Sequence, residues 1–182
     1  MKIVAAILIG SLAATMASAA EFNLKSKDVA ANATLGNAQV FNGFGCSGAN
    51  ISPQLSWSGA PQGTQSYALT VYDPDAPTGS GWWHWVVINI PAKVTDIATG
   101  AGTADGKAMP AGSQQIRTDF GAPGFGGACP PAGDKPHRYI FTLFALKTPK
   151  IEVSDDATAA LAGFMINANV LAKTGFTAYY GR

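Results

Sequence analysis

Charge is scarce in this chain. Only 13% of its 182 residues are Asp, Glu, Lys or Arg, about half the usual share. No Lys/Arg cluster forms the basic footprint that nucleic acid or an anionic membrane surface requires. Lys2 aside, eleven Lys plus Arg face eleven Asp plus Glu, so an anion has to be captured locally rather than drawn in by a broad field. The chain has just two histidines and two cysteines. It contains no H-E-x-x-H helix motif and no G-x-S-x-G elbow, which removes two ready-made hydrolytic sites. It also lacks an apolar run long enough to cross a bilayer: the longest, Ile3 to Met16, falls short of the roughly 20 residues that a span needs.

That run has a different meaning. Lys2 precedes it and Ala17-Ser18-Ala19-Ala20 follows it, the arrangement of a secretory signal with small residues at the cleavage site. Residues 1–20 are expected to be removed. Residues 21–182 are expected to form one domain with no transmembrane segment, secreted to the periplasm. Cys46 and Cys129 both lie in Gly-rich loops, and an oxidising compartment favours pairing them. A bridge across that separation would stabilise the fold by about 4 kcal/mol in the loop-entropy picture. The alternative is two free thiols.

The elements read mainly as strands. Glu21–Lys27 starts alternating, and Ile51–Trp57 alternates with Pro53 marking an edge or a strand start. Ser66–Tyr72 is rich in β-formers, with Tyr67, Leu69, Val71 and Asp73 on one face. In Trp82–Ile90, simple alternation puts His84 with Val86, Ile88 and Ile90, and Trp83, Trp85, Val87 and Asn89 opposite. Gln115–Phe120 is a further candidate strand. Arg138–Lys147 is the clearest one, apolar on both faces, with His137 and Tyr139 sharing a face. Ser154-Asp155-Asp156 offers a cap for a helix over Ala157–Lys173 that Gly175 ends, and Phe176–Tyr180 closes as a short strand or tail. Strands separated by turns, then a late helix, imply an antiparallel β-sandwich with a C-terminal helix.

The chemistry concentrates in one stretch. Asp73-Pro74-Asp75-Ala76-Pro77 puts two carboxylates on a proline-stiffened turn. Trp82-Trp83-His84-Trp85 follows within a dozen positions. The other histidine, His137, also opens a strand, after the Gly/Pro loop from Gly121 to Pro131. Two imidazoles, two carboxylates, Tyr139 and loop N–H groups can build a compact anion site. The same side chains admit a metal site of Asp73, Asp75, His84 and His137 or a hydrolytic acid–base set. Neither histidine has a close metal-ligand spacing, and a cysteine held in a disulfide cannot act as a nucleophile.

Three ordered motifs carry a family resemblance: Asp73-Pro74-Asp75-Ala76-Pro77, Gly81-Trp82-Trp83-His84-Trp85-Val86-Val87-Ile88-Asn89, and Gly127-Ala128-Cys129-Pro130-Pro131 running on to His137-Arg138-Tyr139. The chain resembles the phosphatidylethanolamine-binding protein family, more closely its bacterial Raf-kinase-inhibitor-like branch. The likeness extends from about Phe41 through the ending Tyr179-Tyr180-Gly181-Arg182. It implies a Greek-key β-sandwich whose pocket takes a phosphate-bearing or similar small anion, such as a phospholipid headgroup. Carried over, the pocket comprises Asp73, Asp75, Pro77, Trp82, His84, Gly127, Pro130, Pro131, His137 and Tyr139, with Tyr180 able to close it. Trp83 departs from the eukaryotic pattern, in which a second histidine often precedes the pocket histidine. The expected function is non-enzymatic binding without a cofactor. The alternatives are an inhibitor or modulator of a kinase, protease or host protein, and a weak hydrolase.

Overall fold

The computed structural model describes residues 21–182, so the expected signal segment lies outside the described residues. In chain order the strands are β1 (Asn23–Lys25), β2 (Asn42–Gly43), β3 (Cys46–Ser47), β4 (Leu55–Ser58), β5 (Ser66–Asp73), β6 (Trp82–Pro91), β7 (Asp96–Ile97), β8 (Gln114–Gln115) and β9 (His137–Leu146). Helix α1 (Ala159–Asn169) and strand β10 (Val170–Tyr180) follow. The described residues are mainly β with one C-terminal α-helix, and their strand pairs are antiparallel.

A five-stranded sheet of order β10-β9-β5-β6-β8 forms the centre, with a three-stranded sheet, β1-β4-β7, on one face. Between them lies the larger core, with Leu24, Leu55, Trp57 and Ile97 meeting Tyr67, Leu69, Val71, Phe141 and Leu143. The other face carries Ala68, Val86, Ile88, Phe144 and Leu146, covered by Ala159, Ala162 and Ile166 of α1. Burial on both sides explains why the central strands are apolar almost throughout.

Alternation predicts β5 correctly and β6 only in part. The β5–β6 register slips between Val71 and Tyr72, whose partners are Trp85 and Trp83 and leave His84 between them. This bulge turns His84 to the same side as Trp85: His84 stacks edge-on against Tyr139 of the larger core, while Val86 and Ile88 join the other face. A second slip accompanies Asn89, whose φ is 61° and whose buried amide exchanges hydrogen bonds with the backbone of Ile151. A period-2 reading cannot see either irregularity, because a bulge inserts a residue without altering composition.

Four boundaries also differ from expectation. The stretch from Ile51 becomes a strand only at Leu55, and the one from Gln115 to Phe120 pairs only at Gln114–Gln115. Beyond it a turn closed by Thr118 N–H on the Ala122 carbonyl ends the extended run. The helix starts at Ala159 and is capped by Thr158, whose hydroxyl accepts from Leu161 N–H at 3.1 Å; Ser154 instead bonds to Asp156 within the preceding turn. The helix stops at Asn169, and β10 begins at once, carrying Gly175 in its interior. The disulfide Cys46–Cys129 is formed.

Candidate functional site

Antiparallel pairing brings the distant motifs together. The end of β5 adjoins the starts of β6 and β9: Asp73 pairs with Trp82, and Tyr72 with Ile140. At this end of the sheet a cleft of about 160 Å³ opens, smaller than the roughly 300 Å³ at which drug-sized ligand sites begin. Asp73, Pro77, Trp82, His84, Pro130, Pro131, His137 and Tyr139 all border it. Sequence reasoning missed Phe44 and Phe120, which also face it. Phe120 is positioned by its neighbour: Asp119 accepts from Trp83 N–H at 2.7 Å, which holds the Phe120 ring edge-on to both Trp82 and His84.

Asp73 organises the polar groups. One carboxylate oxygen accepts from the N–H groups of Asp75 and Ala76 at 2.8 and 3.1 Å, the self-capping turn that Asp before proline favours. The other accepts from His137 Nδ1 at 2.8 Å, and His137 Nε2 lies 3.4 Å from Asp134. Both His137 and Asp73 are buried. His84 is buried too, and its Nδ1 lies 2.8 Å from the Gly126 carbonyl. Burial pushes the His84 pKa below the ordinary histidine value, against the weaker pull of the Gly126 carbonyl and Asp73, so the ring is neutral at pH 7. The Tyr139 hydroxyl is buried; the Cys129 backbone N–H approaches its oxygen, while its own O–H finds no acceptor among the described residues. Burial, reinforced by the Asp73 charge, raises its pKa and keeps it protonated.

Three expected members stand elsewhere. Asp75 turns to Arg138, accepting from its Nε and Nη2 at 2.8 and 2.6 Å and from its backbone N–H at 2.9 Å. The guanidinium holds the Asp75 carboxyl down to about 2, so Asp75 stands apart from Asp73, His84 and His137, which border the cleft. Gly127 backs the wall: a Cβ there would sit 2.4 Å from the Gln39 carbonyl oxygen. Tyr180 pairs with His137 across β9–β10 and packs against the core. Part of the Gly loop is already engaged by the protein. Its N–H groups from Phe125 to Ala128 bond to Gly102, His84, Asn50 and Gln39, and the following Pro130 and Pro131 have no N–H to offer.

The mouth is held from two sides. The disulfide ties Cys129 of the cleft wall to the β2–β3 hairpin, whose tip carries Phe44. Arg182 donates to the carbonyls of Pro130, Gly45 and Phe44 at 2.7, 3.2 and 3.3 Å.

Fold and cleft together define a β-sandwich binding domain with a small recess at one end of its main sheet. The chain belongs to the phosphatidylethanolamine-binding protein family, whose model matches residues 25–181. Among its relatives, the UPF0098 protein YbcL of Escherichia coli K12 is 56% identical over 164 residues, 90% of each chain. YbhB of the same organism is 48% identical over 157 residues, 86% of this chain and 98% of its own. The crystal structure of E. coli YbcL, described as a new member of the mammalian family, superposes with a TM-score of 0.88 at 55% identity, covering 90% of this chain and 99% of that one. Trp83, the departure from the eukaryotic motif, packs at a tilt on Tyr72 and against the helix-covered core rather than into the cleft.

Proposed function

We propose that this protein is a non-enzymatic binding protein whose cleft holds a small oxyanion, a phosphoryl group of phospholipid-headgroup type. The observation that carries this reading is Tyr139, which lines the cleft and whose buried O–H has no acceptor among the described residues. An unsatisfied buried donor costs about 1–3 kcal/mol, and an anion's oxygen would satisfy it. His84, edge-on to Tyr139, brings a second polar side chain to the cleft, His137 is held there by Asp73, and the aromatic and proline walls limit the ligand to a compact group. Turnover has less support. Cys129 is in the disulfide, and the Thr78 hydroxyl donates to the Gly81 carbonyl rather than to an imidazole.

The N-terminal pattern and the disulfide fit export to the periplasm. A second reading, in which the occupant is a phosphorylated group on a partner protein that is thereby modulated, is favoured by Phe44, 68% exposed at the mouth. NMR titration with phosphorylethanolamine tests the main reading. We expect shifts at His84, His137 and Tyr139 with a Kd on the order of 1 mM, equivalent to about 4 kcal/mol, and about tenfold weaker binding in Tyr139→Phe. Unchanged spectra at these residues would show that the site is misplaced.

A further inference from the structure

Two polar side chains that line the cleft, His84 and Tyr139, have opposite hydrogen-bonding character. The Gly126 carbonyl can only accept, so the His84 Nδ1 that meets it at 2.8 Å carries the proton. In the neutral ring Nε2 is then a lone-pair acceptor. With Nδ1 tied to the wall and the ring bordering the cleft, Nε2 is the His84 atom left for a ligand. Beside it stands Tyr139, an O–H donor, with ring centroids 5.0 Å apart.

We propose that the cleft selects an oxyanion that still carries a proton, taking a phosphomonoester as its monoanion in preference to the dianion or to a sulfate ester. This deepens the oxyanion reading above and rests on it, narrowing the phospholipid headgroup from the intact lipid, a phosphodiester with no proton to give, to the free phosphomonoester. A P–OH donates to His84 Nε2 while a bare oxygen accepts from Tyr139. A fully deprotonated oxyanion sets lone pair against lone pair at His84 and leaves that buried acceptor unsatisfied, the kind of mismatch that discriminates strongly. Protonating His84 instead would remove the conflict, but its surroundings oppose this. The titratable groups around it are Asp73 from β5, His137 and Tyr139 from β9, and Asp119 from the segment carrying Phe120. Asp73 is engaged by His137 and two N–H groups, and Asp119 by Trp83 N–H. Burial of the ring outweighs what remains of their attraction.

Methyl phosphate and methyl sulfate make the test, because they are similar in shape and at about pH 5 both are monoanions, but only the phosphate has a proton to donate; its second ionisation lies near pH 6. Calorimetric titration of each from about pH 5 to about pH 8 spans that ionisation. The sulfate profile records the protein's own titration, so the ratio of the two affinities isolates the ligand's proton. We expect methyl phosphate to bind at least about tenfold tighter at the acid end, with the advantage shrinking above pH 6. In His84→Phe the ratio falls toward one. Nitrogen-15 spectra of the unmutated protein, labelled at histidine, should show His84 Nε2 unprotonated, a readout that does not depend on the variant folding. Equal affinities for the two ligands, a phosphate advantage that grows with pH, or a protonated Nε2 would each overturn this proposal while leaving an oxyanion site in place. Binding of neither ligand would overturn both readings.

Discussion

At the scale of single residues, His84 sets a pH limit on the fold. Its folded pKa lies below the ordinary value near 6.5 because burial disfavours the charged ring. Below about pH 6.5 the unfolded chain takes up a proton that the folded state resists, so this group makes stability rise with pH and fall on acidification. The slope can reach about 1.4 kcal/mol per pH unit for one proton. Urea unfolding between about pH 7 and pH 5 should therefore show a loss in the native protein that is reduced in His84→Phe, which keeps an aromatic ring between Phe120 and Tyr139. Asp75 acts in another window. Its carboxyl, held down to about 2 by Arg138, contributes stability that is present above the normal carboxylate range and lost only as pH falls toward that value.

At the scale of elements, the junction of α1 and β10 shows what a one-dimensional reading can and cannot reach. Strongly apolar β5 and β9 were legible because both of their faces are buried. The motifs of the cleft were legible as well, since the turn and both histidines stand at strand ends. The change from helix to strand at Val170 was not: Val170-Leu171-Ala172-Lys173 suits either state locally, and what decides it is pairing with Leu146, Ala145 and Phe144 of β9. Phe44 and Phe120 were missed for a similar reason. They reach the cleft from a disulfide-tied hairpin and an Asp119-anchored turn, and no sequence period marks either. Two glycine substitutions separate the elements. A Cβ at Gly175 would lie 2.2 Å from the Phe141 carbonyl oxygen, so Gly175→Ala should destabilise by about 1–3 kcal/mol. Gly163 in α1 has open space around its Cβ position, and Gly163→Ala should stabilise by about 0.5–1 kcal/mol, both read from denaturant midpoints.

At the scale of the whole molecule, the disulfide joins residues 83 positions apart and so restricts the unfolded chain broadly. Replacing both cysteines by serine should lower unfolding stability by about 4 kcal/mol. It should also weaken ligand binding, because Cys129 borders the cleft and the bridge steadies Phe44 at its mouth; unfolding and titration of the same sample measure both effects. The placement of the indole rings has a practical consequence. Of the four tryptophans, Trp82 borders the recess, while Trp57 and Trp85 are buried in the core and Trp83 is packed on the far side. Intrinsic fluorescence thus has one emitter at the point of occupancy and three away from it, so the protein carries an optical gauge of its own filling and needs no attached dye.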